Sequence, residues 1–135
     1  MTTTLEQTSA GTIAQIFGPV VDVRFPAGKL PAIYSALHIA HPSGGETLVL
    51  EVAAHLGNDT ARCVAMASTD GFRRGMAVIN TGGPIAVPVG DRTKGRLFNL
   101  LGTPLDTVAK GNLAQGETWP IHRAAPAFDE QEAIS

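Results

Sequence analysis

The stretch DGFRRGMAVINTGGPIAVPVGDRTKGRLFNLLGTPLD, residues 70–106, marks a change of architecture within the chain. It begins with a charged turn and continues through a strand that Gly and Pro residues interrupt. The apolar residues then change to a helical spacing, because Leu97, Leu100 and Leu101 stand at i, i+3 and i+4. We therefore predict a helix over about residues 94–101, which leads from a small β domain into a second domain.

The predicted helix has recognisable ends. Thr93 is a suitable N-cap, Gly102 is a suitable residue just past the last turn, and Pro104 follows two residues later. Residues 103–135 contain Gly and Pro too often for long helices, so we predict mainly loop there.

The sequence before this stretch has the period of β-strands. In residues 20–25, Val21 and Val23 share one face, while Asp22 and Arg24 share the other. A Gly-Pro turn joins this strand to the one before it, which predicts a hairpin. The strand candidates are residues 12–17, 20–25, 37–40, 46–56, 60–66, 76–79 and 85–89. These seven candidates, which we count as about six short strands with frequent turns, favour a sandwich or a small closed barrel.

One strand candidate favours the barrel. In residues 60–66, the small side chains of Ala61, Cys63 and Ala65 share one face, and Arg62 lies on the other. A face of small residues indicates that another backbone packs close to it, as inside a tight barrel.

The composition is that of an ordinary globular protein. The chain has 135 residues, of which 44% are hydrophobic and 16% charged, enough for one domain of ordinary size. Its net charge of -2 gives no electrostatic argument for binding nucleic acid or an anionic membrane. No apolar run approaches the ~20 residues that a membrane helix requires. Residues 1–10 lack the features of a signal peptide, and we predict a mobile tail there.

The known phosphate-binding and catalytic motifs do not occur in the sequence. The pattern G-x-x-x-x-G-K-[ST] is missing, and at its nearest approach, Gly28-Lys29, Leu30 stands where a hydroxyl should coordinate magnesium. Dinucleotide-binding, hydrolase and zinc-protease motifs are missing as well. We therefore predict no catalytic, cofactor-binding or metal-binding residue in this chain.

Histidines and the one cysteine were considered as metal ligands. His38 and His41 stand three apart, which places them on opposite faces of a strand, and His55 and Cys63 have no motif spacing to them. Polar surface histidines are the simpler interpretation. A lone cysteine also cannot form an intramolecular disulfide, which fits a reducing compartment without proving one.

Two basic clusters are candidates for binding. Arg73-Arg74 lies in a turn, where such a pair binds phosphate, is solvated or makes salt bridges to a neighbour. Arg92, Lys94 and Arg96 lie near the predicted helix start, where the helix dipole disfavours cations. This second cluster is either a hydrated helix end or a surface for an acidic partner.

A small barrel with surface arginines can also bind single-stranded nucleic acid if aromatic side chains provide stacking platforms. Of the few aromatic residues, Phe25, Phe72 and Tyr34 are the ones expected on the barrel exterior. Together with the negative net charge, this makes a free-standing adaptor or nucleic-acid-binding barrel the alternative function.

Six blocks of the sequence, in one order, resemble a known family. They are GTIAQIFGPVVDVRFP at 11–26, LVLEVAAHLG at 48–57, VAMASTDGFRRG at 64–75, GGPIAVPVG at 82–90, GRLFNLLGTPLD at 95–106 and IHRAAPAF at 121–128. Together they are similar to the N-terminal part of the catalytic beta subunit of the rotary proton-translocating ATP synthase. The alpha subunit, the vacuolar-type subunits and the flagellar export ATPases share the barrel, but the turn at 70–75 resembles beta most.

The resemblance implies an all-β fold with a six-stranded closed barrel over residues 11–88. Residues 89–135 would then be the short helix and loop that open an α/β nucleotide-binding domain, truncated before its phosphate loop. On this expectation MgATP and MgADP bind the parent subunit, and every catalytic residue of the family lies beyond Ser135.

The resemblance also implies a function and partners. Barrels of alternating alpha and beta subunits form the crown of the hexameric head, on the cytoplasmic face of an energy-coupling membrane. The parent subunit would make or hydrolyse ATP coupled to proton transport, whereas this polypeptide would act as a non-catalytic crown module that contacts alpha subunits and no nucleic acid.

Overall fold

The computed structural model describes residues 10–133. They fall into two compact units that part between Ile85 and Ala86. The mobile tail expected over residues 1–10 lies, apart from Ala10, outside the described residues.

The first unit is a closed barrel of antiparallel strands in the order β1-β2-β5-β4-β3-β6. The strands are β1 (Ala10–Phe17), β2 (Val20–Arg24), β3 (Ser35–Ile39), β4 (Leu48–Gly57), β5 (Thr60–Ala65) and β6 (Ala77–Pro84). The prediction of a mostly β fold built on a closed six-stranded barrel is confirmed. Closing the sheet pairs every strand on both sides, which removes the edges that an open sheet would expose.

Period-two alternation fills the barrel interior. Val21, Val23 and Cys63 are completely buried, and Ala61 lies opposite Val23 on the neighbouring strand. The core consists of the residues Ile13, Val21, Val23, Phe25, Leu37, Ile39, Leu48, Leu50, Val52, Ala61, Cys63, Phe72 and Val78. The small face predicted for residues 60–66 therefore does lie inside a barrel.

The β4–β5 hairpin turns at Asn58 and Asp59, between the last residue of β4 and the first residue of β5. Both residues have positive φ, 50° and 55°, the conformation that a two-residue hairpin turn requires. Asn and Asp tolerate this conformation better than other residues with a side chain, so the sequence can end both strands here without glycine at the turn centre.

The last predicted strand, residues 85–89, forms outside the barrel. It is the short strand β7 (Ala86–Pro88), and it pairs antiparallel with β8 (Thr118–Pro120) in the second unit. The second unit also contains a one-turn helix, α1 (Thr107–Lys110), and 3-10 turns at Asp91–Thr93 and Phe128–Glu130. Most of residues 103–133 is irregular, as the Gly and Pro content indicates.

The helix predicted over residues 94–101 is wrong. Gly95, inside the predicted span, has a φ of 69°, which no α-helix accommodates. The Asn99 side chain accepts hydrogen bonds from the backbone N–H groups of Leu101 and Thr103, at 3.0 and 2.9 Å, and so replaces helical bonds with a turn. Leu97 and Leu100 are exposed instead of sharing one buried face.

Candidate interaction surface

An open cleft on the barrel surface is lined by Arg24, Arg73 and Arg74. Its volume is about 860 Å³, and its floor includes β1 at Ala14 and Ile16. We refer to these three arginines and the cleft between them as the arginine cleft. A smaller hollow of about 230 Å³ also has Arg24 and Arg74 in its wall, so the basic surface extends beyond the main cleft.

The backbone of β1 holds the turn that carries two of these arginines. Gly75 N–H donates to the carbonyl oxygen of Ile13 at 2.8 Å, and Ile13 N–H donates to that of Met76 at 2.9 Å. These two bonds extend the β1–β6 ladder beyond the first residue of β6. A β-bulge between Ile13 and Gln15 interrupts the pairing of β1 with β2 at the same place, and it leaves Ala14 in the floor of the cleft.

The other end of the turn is anchored by Phe72. This side chain is 8% exposed and belongs to the barrel core, and its ring meets the edge of His41 with 5.0 Å between centroids. Gly71 and Gly75 flank the arginine pair with φ of 87° and 90°, so the chain reverses on both sides of it. The turn is therefore fixed at both ends, and Arg73 and Arg74 project from a supported backbone.

The arginines of the cleft differ from Arg62, Arg92 and Arg96, whose guanidinium groups bond to other groups of this chain. Within residues 10–133, the exposed guanidinium groups of Arg24, Arg73 and Arg74 make no hydrogen bond or ion pair. Three positive charges around one cleft repel each other, and a negatively charged occupant would relieve that repulsion. Of the states that the sequence allows, a salt bridge of Arg73 or Arg74 to a neighbouring side chain is not present within residues 10–133.

The Asp22–Arg62 pair on the barrel wall has a structural role. The two residues are directly opposite each other on β2 and β5, and Arg62 donates Nε to Oδ1 at 2.9 Å and Nη2 to Oδ2 at 3.0 Å. Asp22 is 4% exposed, although it lies on the outer face of β2. The bond to Asp22 raises the pKa of Arg62, and the guanidinium also lies over the Phe17 ring, 5.7 Å from its centroid.

Two of the histidines considered as metal ligands contact other groups in the fold. His41 contacts Ser43, with 2.7 Å between Nδ1 and Oγ, and His55 Nε2 lies 2.7 Å from the carbonyl oxygen of Pro31. His38 is exposed on β3. Among residues 10–133, no group of three or more His, Cys, Asp or Glu side chains has an arrangement that could hold a metal ion.

Cys63 is buried in the barrel core, and burial is the main cause that raises the pKa of its thiol to about 12. The negative charge of Asp22 adds to this shift. The thiol therefore stays protonated at neutral pH, and a protonated thiol is a poor nucleophile and a poor metal ligand.

The second basic cluster does not lie at the start of an α-helix, and its two arginines bond to groups of the second unit. Arg92 donates to the carbonyl oxygens of Ala114 and Glu117, so it joins two distant parts of the second unit. Arg96 donates Nε to both carboxylate oxygens of Asp106 at 3.1 Å. Arg96 also holds the pKa of Asp106 below its ordinary value.

Lys94, the third member of that cluster, pairs with Asp91 at 2.7 Å on an exposed surface. Each of the three cations thus has a bonding partner in the same unit: Asp91 for Lys94, Asp106 for Arg96 and backbone carbonyls for Arg92. These bonds within the unit give no support to the interpretation as a site for an acidic partner.

Two of the three aromatic residues expected outside the barrel are inside it. Phe25 and Phe72 are 3% and 8% exposed, whereas Tyr34 is exposed as predicted. Phe25 follows β2 on the inward face of the alternation, and Phe72 anchors the arginine turn in the core. The stacking platforms that binding of single-stranded nucleic acid requires are therefore not available from these two rings.

Arg24 is the residue of the arginine cleft that sequence reasoning did not single out. Its only signal is its place on the outer face of β2, which most surface arginines share. It lies about fifty residues before Arg73 in the chain, and β1 brings the two together.

In the part of the chain that the structure describes, no helix combines the length and the apolar character needed to cross a bilayer.

A comparison with family models assigns the barrel. The model of the ATP synthase alpha/beta family, beta-barrel domain, matches residues 13–82, just over half of the chain. The match begins in β1 and ends in β6, so it covers the closed barrel almost strand for strand. The chain belongs to the ATP synthase alpha/beta family.

Membership in the ATP synthase alpha/beta family agrees with the observed fold. It places the chain in the context of an ATP synthase or a related complex, as a crown module of a subunit. The arginine cleft lies within the matched barrel, because Arg24, Arg73 and Arg74 all fall between residues 13 and 82.

Proposed function

We propose that this chain is the N-terminal barrel module of an ATP synthase beta subunit. It packs beside alpha-subunit barrels in the crown and holds an alternating alpha/beta hexamer together, while the parent subunit makes or hydrolyses ATP coupled to proton transport. The observation that carries the proposal is the closed six-stranded barrel, which the family's barrel domain matches over residues 13–82.

The physical properties of the barrel suit this role. A closed sheet has no free strand edge, and the interior is filled by completely buried side chains such as Leu37, Leu50 and Val52. Such a unit resists deformation because its core is close-packed. Rotary catalysis requires three sites to change shape in turn without opening the ring, and a rigid collar at one end provides the fixed reference.

The assignment to beta is supported by two parts of the sequence. The turn DGFRRG at residues 70–75 and the block GRLFNLLGTPLD at 95–106 are more similar to beta than to alpha or to the vacuolar-type subunits. In the structure the first of these is the turn that carries two arginines of the cleft. If alpha and beta differ there, the turn is a place where the two barrels could recognise each other.

The proposal assigns chemistry to the parent subunit and architecture to this barrel. Phosphoryl transfer requires preorganised donors and magnesium around the γ-phosphate. The loop motif that supplies them, G-x-x-x-x-G-K-[ST], does not occur in the 135 residues. MgATP and MgADP are therefore handled by other residues of the parent subunit, in a head attached to the cytoplasmic face of an energy-coupling membrane.

Titration with an alpha subunit tests the proposal. The isotope-labelled chain is mixed with unlabelled ATP synthase alpha subunit from the same organism, and amide chemical shifts are recorded. We expect saturable changes at barrel residues between 10 and 85, because barrels are the contacting parts of the crown. An unrelated barrel protein of similar charge is the control, and an unchanged spectrum with alpha would contradict the proposal.

The alternative function, a nucleic-acid-binding barrel, has less support. Burial of Phe25 and Phe72 removes two stacking platforms, and the net charge of -2 opposes a polyanion.

A further inference from the structure

We propose that the arginine cleft is a docking site for a carboxylate-bearing segment of a protein partner. Within the proposed function, on which this inference rests for the partner's identity, that partner is a neighbouring subunit of the head. The juxtaposition that carries the proposal is three unpaired guanidinium groups, from β2 and from the turn before β6, around one open cleft.

The first argument is the contrast in pairing. Arg62, Arg92 and Arg96 each bond to a carboxylate or to backbone carbonyls of this chain. The arginines of the cleft have no such partner within residues 10–133, although the fold places them together. Scattered surface arginines are common, but three around one cleft concentrate positive potential where an anion can be bound by several donors at once.

The second argument is the support behind the side chains. The turn is held to β1 by the Gly75 and Ile13 backbone bonds, and it is held to the core by Phe72. Arg24 lies on a barrel strand that is paired on both sides. A binding group on a fixed backbone loses less conformational entropy on binding than one on a mobile loop.

The third argument concerns the kind of anion. The planar guanidinium group binds carboxylates through two parallel hydrogen bonds, so aspartate and glutamate fit it well. The cleft is open, and its β1 floor contains Ala14, Gln15 and Ile16, a mixed surface that suits a peptide segment. A nucleic acid would need stacking rings, and the one aromatic residue in the cleft lining, Phe72, is buried.

The test uses single substitutions in the full chain. Arg24→Gln and Arg74→Gln each remove one charge from the cleft, and Lys29→Gln removes one charge from an exposed loop elsewhere on the barrel. All three side chains are exposed, so thermal unfolding should stay as in the parent chain and confirm folding. Affinities are measured for the alpha subunit and for a decamer of glutamate, with inorganic phosphate and a thymidine decamer as competing probes.

We expect both arginine variants to bind the alpha subunit at least about tenfold more weakly, and Lys29→Gln to bind as the parent chain does. Arg74→Lys should recover only part of the affinity, because lysine keeps the charge without the fork of donors. In the parent chain, the glutamate decamer should shift the amide signals of residues 13–16 and 72–75.

The remaining outcomes separate the docking site in the arginine cleft from the proposed function in the crown. If alpha binds and the arginine variants bind equally well, the docking site is overturned and the proposed function stands. If alpha does not bind but the glutamate decamer does, through the same arginines, the docking site stands and the proposed function fails. Tighter binding of phosphate or of the thymidine decamer than of glutamate would overturn the acidic protein partner, and so would binding of no probe at all.

Discussion

Asp22 shows how much the environment of one residue depends on its partners across the sheet. Alternation along β2 places this carboxylate on the outer face, with Val21 and Val23 pointing inward. The two hydrogen bonds from Arg62 nevertheless leave Asp22 almost completely buried. An ion pair with two well-aligned bonds satisfies the buried oxygens, and breaking it by removing one partner leaves the other without compensation.

Substitution of this pair should destabilise the barrel. We expect Asp22→Asn to lower the midpoint of thermal unfolding by about 5 °C or more, because the amide cannot accept from Arg62 at both positions. Arg62→Lys should cause a smaller decrease, since the charge remains while one of the two bonds is lost. Arg24→Lys is the matched control from the neighbouring strand: its guanidinium has no partner in the described residues, so the midpoint should stay unchanged. Equal midpoints for Asp22→Asn and the parent chain would show that the pair adds nothing to stability.

At the scale of elements, the sequence predicted the strands of the barrel, but the helix that it predicted over residues 94–101 does not form. Period-two alternation predicted β2 and β5, because each has one face in a common core. Short apolar runs between turn residues predicted the other four barrel strands, with different bounds for β3 and β6. The Leu97, Leu100 and Leu101 spacing matched a helix by coincidence. What decides the local structure there is a set of side-chain bonds to the backbone, from Asn99 and Asp106, which apolar periodicity does not report.

The partner of β7 was equally hidden from local patterns. Residues 85–89 have the composition of a strand, and nothing in their local sequence distinguishes them from a barrel strand. Their partner β8 lies about thirty residues later in the chain. Arg92, which joins the region after β7 to Ala114, was mistaken for a free cation for the same reason: its acceptors are backbone carbonyls that become neighbours only in the folded unit.

The Arg96–Asp106 pair gives this second unit a pH dependence. Arg96 lowers the pKa of Asp106, so the folded state keeps the carboxylate ionised at pH values where the unfolded chain, with a pKa of about 4, begins to bind a proton. The stabilisation is therefore complete above about pH 4 and is lost as the pH falls through the lower pKa of the folded state.

Asp106→Asn tests this dependence. In the parent chain, the Leu97 N–H donates a hydrogen bond to the Asp106 carboxylate at 3.0 Å. In the variant, this N–H should exchange its hydrogen with solvent faster at neutral pH. In unfolding measurements the difference between variant and parent chain should shrink steadily below about pH 4. Asp91→Asn is the control, because its bond to Lys94 is exposed and should contribute little at any pH. A difference that stays constant down to about pH 2 would contradict the role of the ionised carboxylate.

At the scale of the whole molecule, the sequence predicted the barrel better than the candidate site. The sequence predicted that Arg73 and Arg74 lie together in the turn, but it did not predict that Arg24 lies beside them. The cleft exists only when β1, β2 and the turn close around it. The bulge in β1 that puts Ala14 in the cleft floor has no clear sequence signal either. Sites assembled from separate strands depend on register, and register follows from the complete set of pairings.

If this chain is a non-catalytic module of the crown, it should bind neither ATP nor ADP measurably. A nucleotide site needs backbone donors wrapped around the phosphates, together with a lysine and a magnesium-binding hydroxyl, and the 135 residues lack that loop. The arginine cleft is a place in the described residues where three unpaired cations lie close enough to attract a triphosphate. Attraction of that kind is electrostatic, so it should disappear as salt approaches physiological concentration.

Calorimetric titration with MgATP and MgADP checks this prediction, with a complete ATP synthase beta subunit as the positive control. At physiological salt we expect no saturable heat from the chain, and any weak signal at low salt should be reduced in Arg24→Gln and Arg74→Gln but not in Lys29→Gln. Saturable binding that survives both salt and the arginine substitutions would mean that the barrel unit or the second unit holds a nucleotide site of its own. The chain would then contribute chemistry as well as architecture, and the non-catalytic crown module would have to be abandoned.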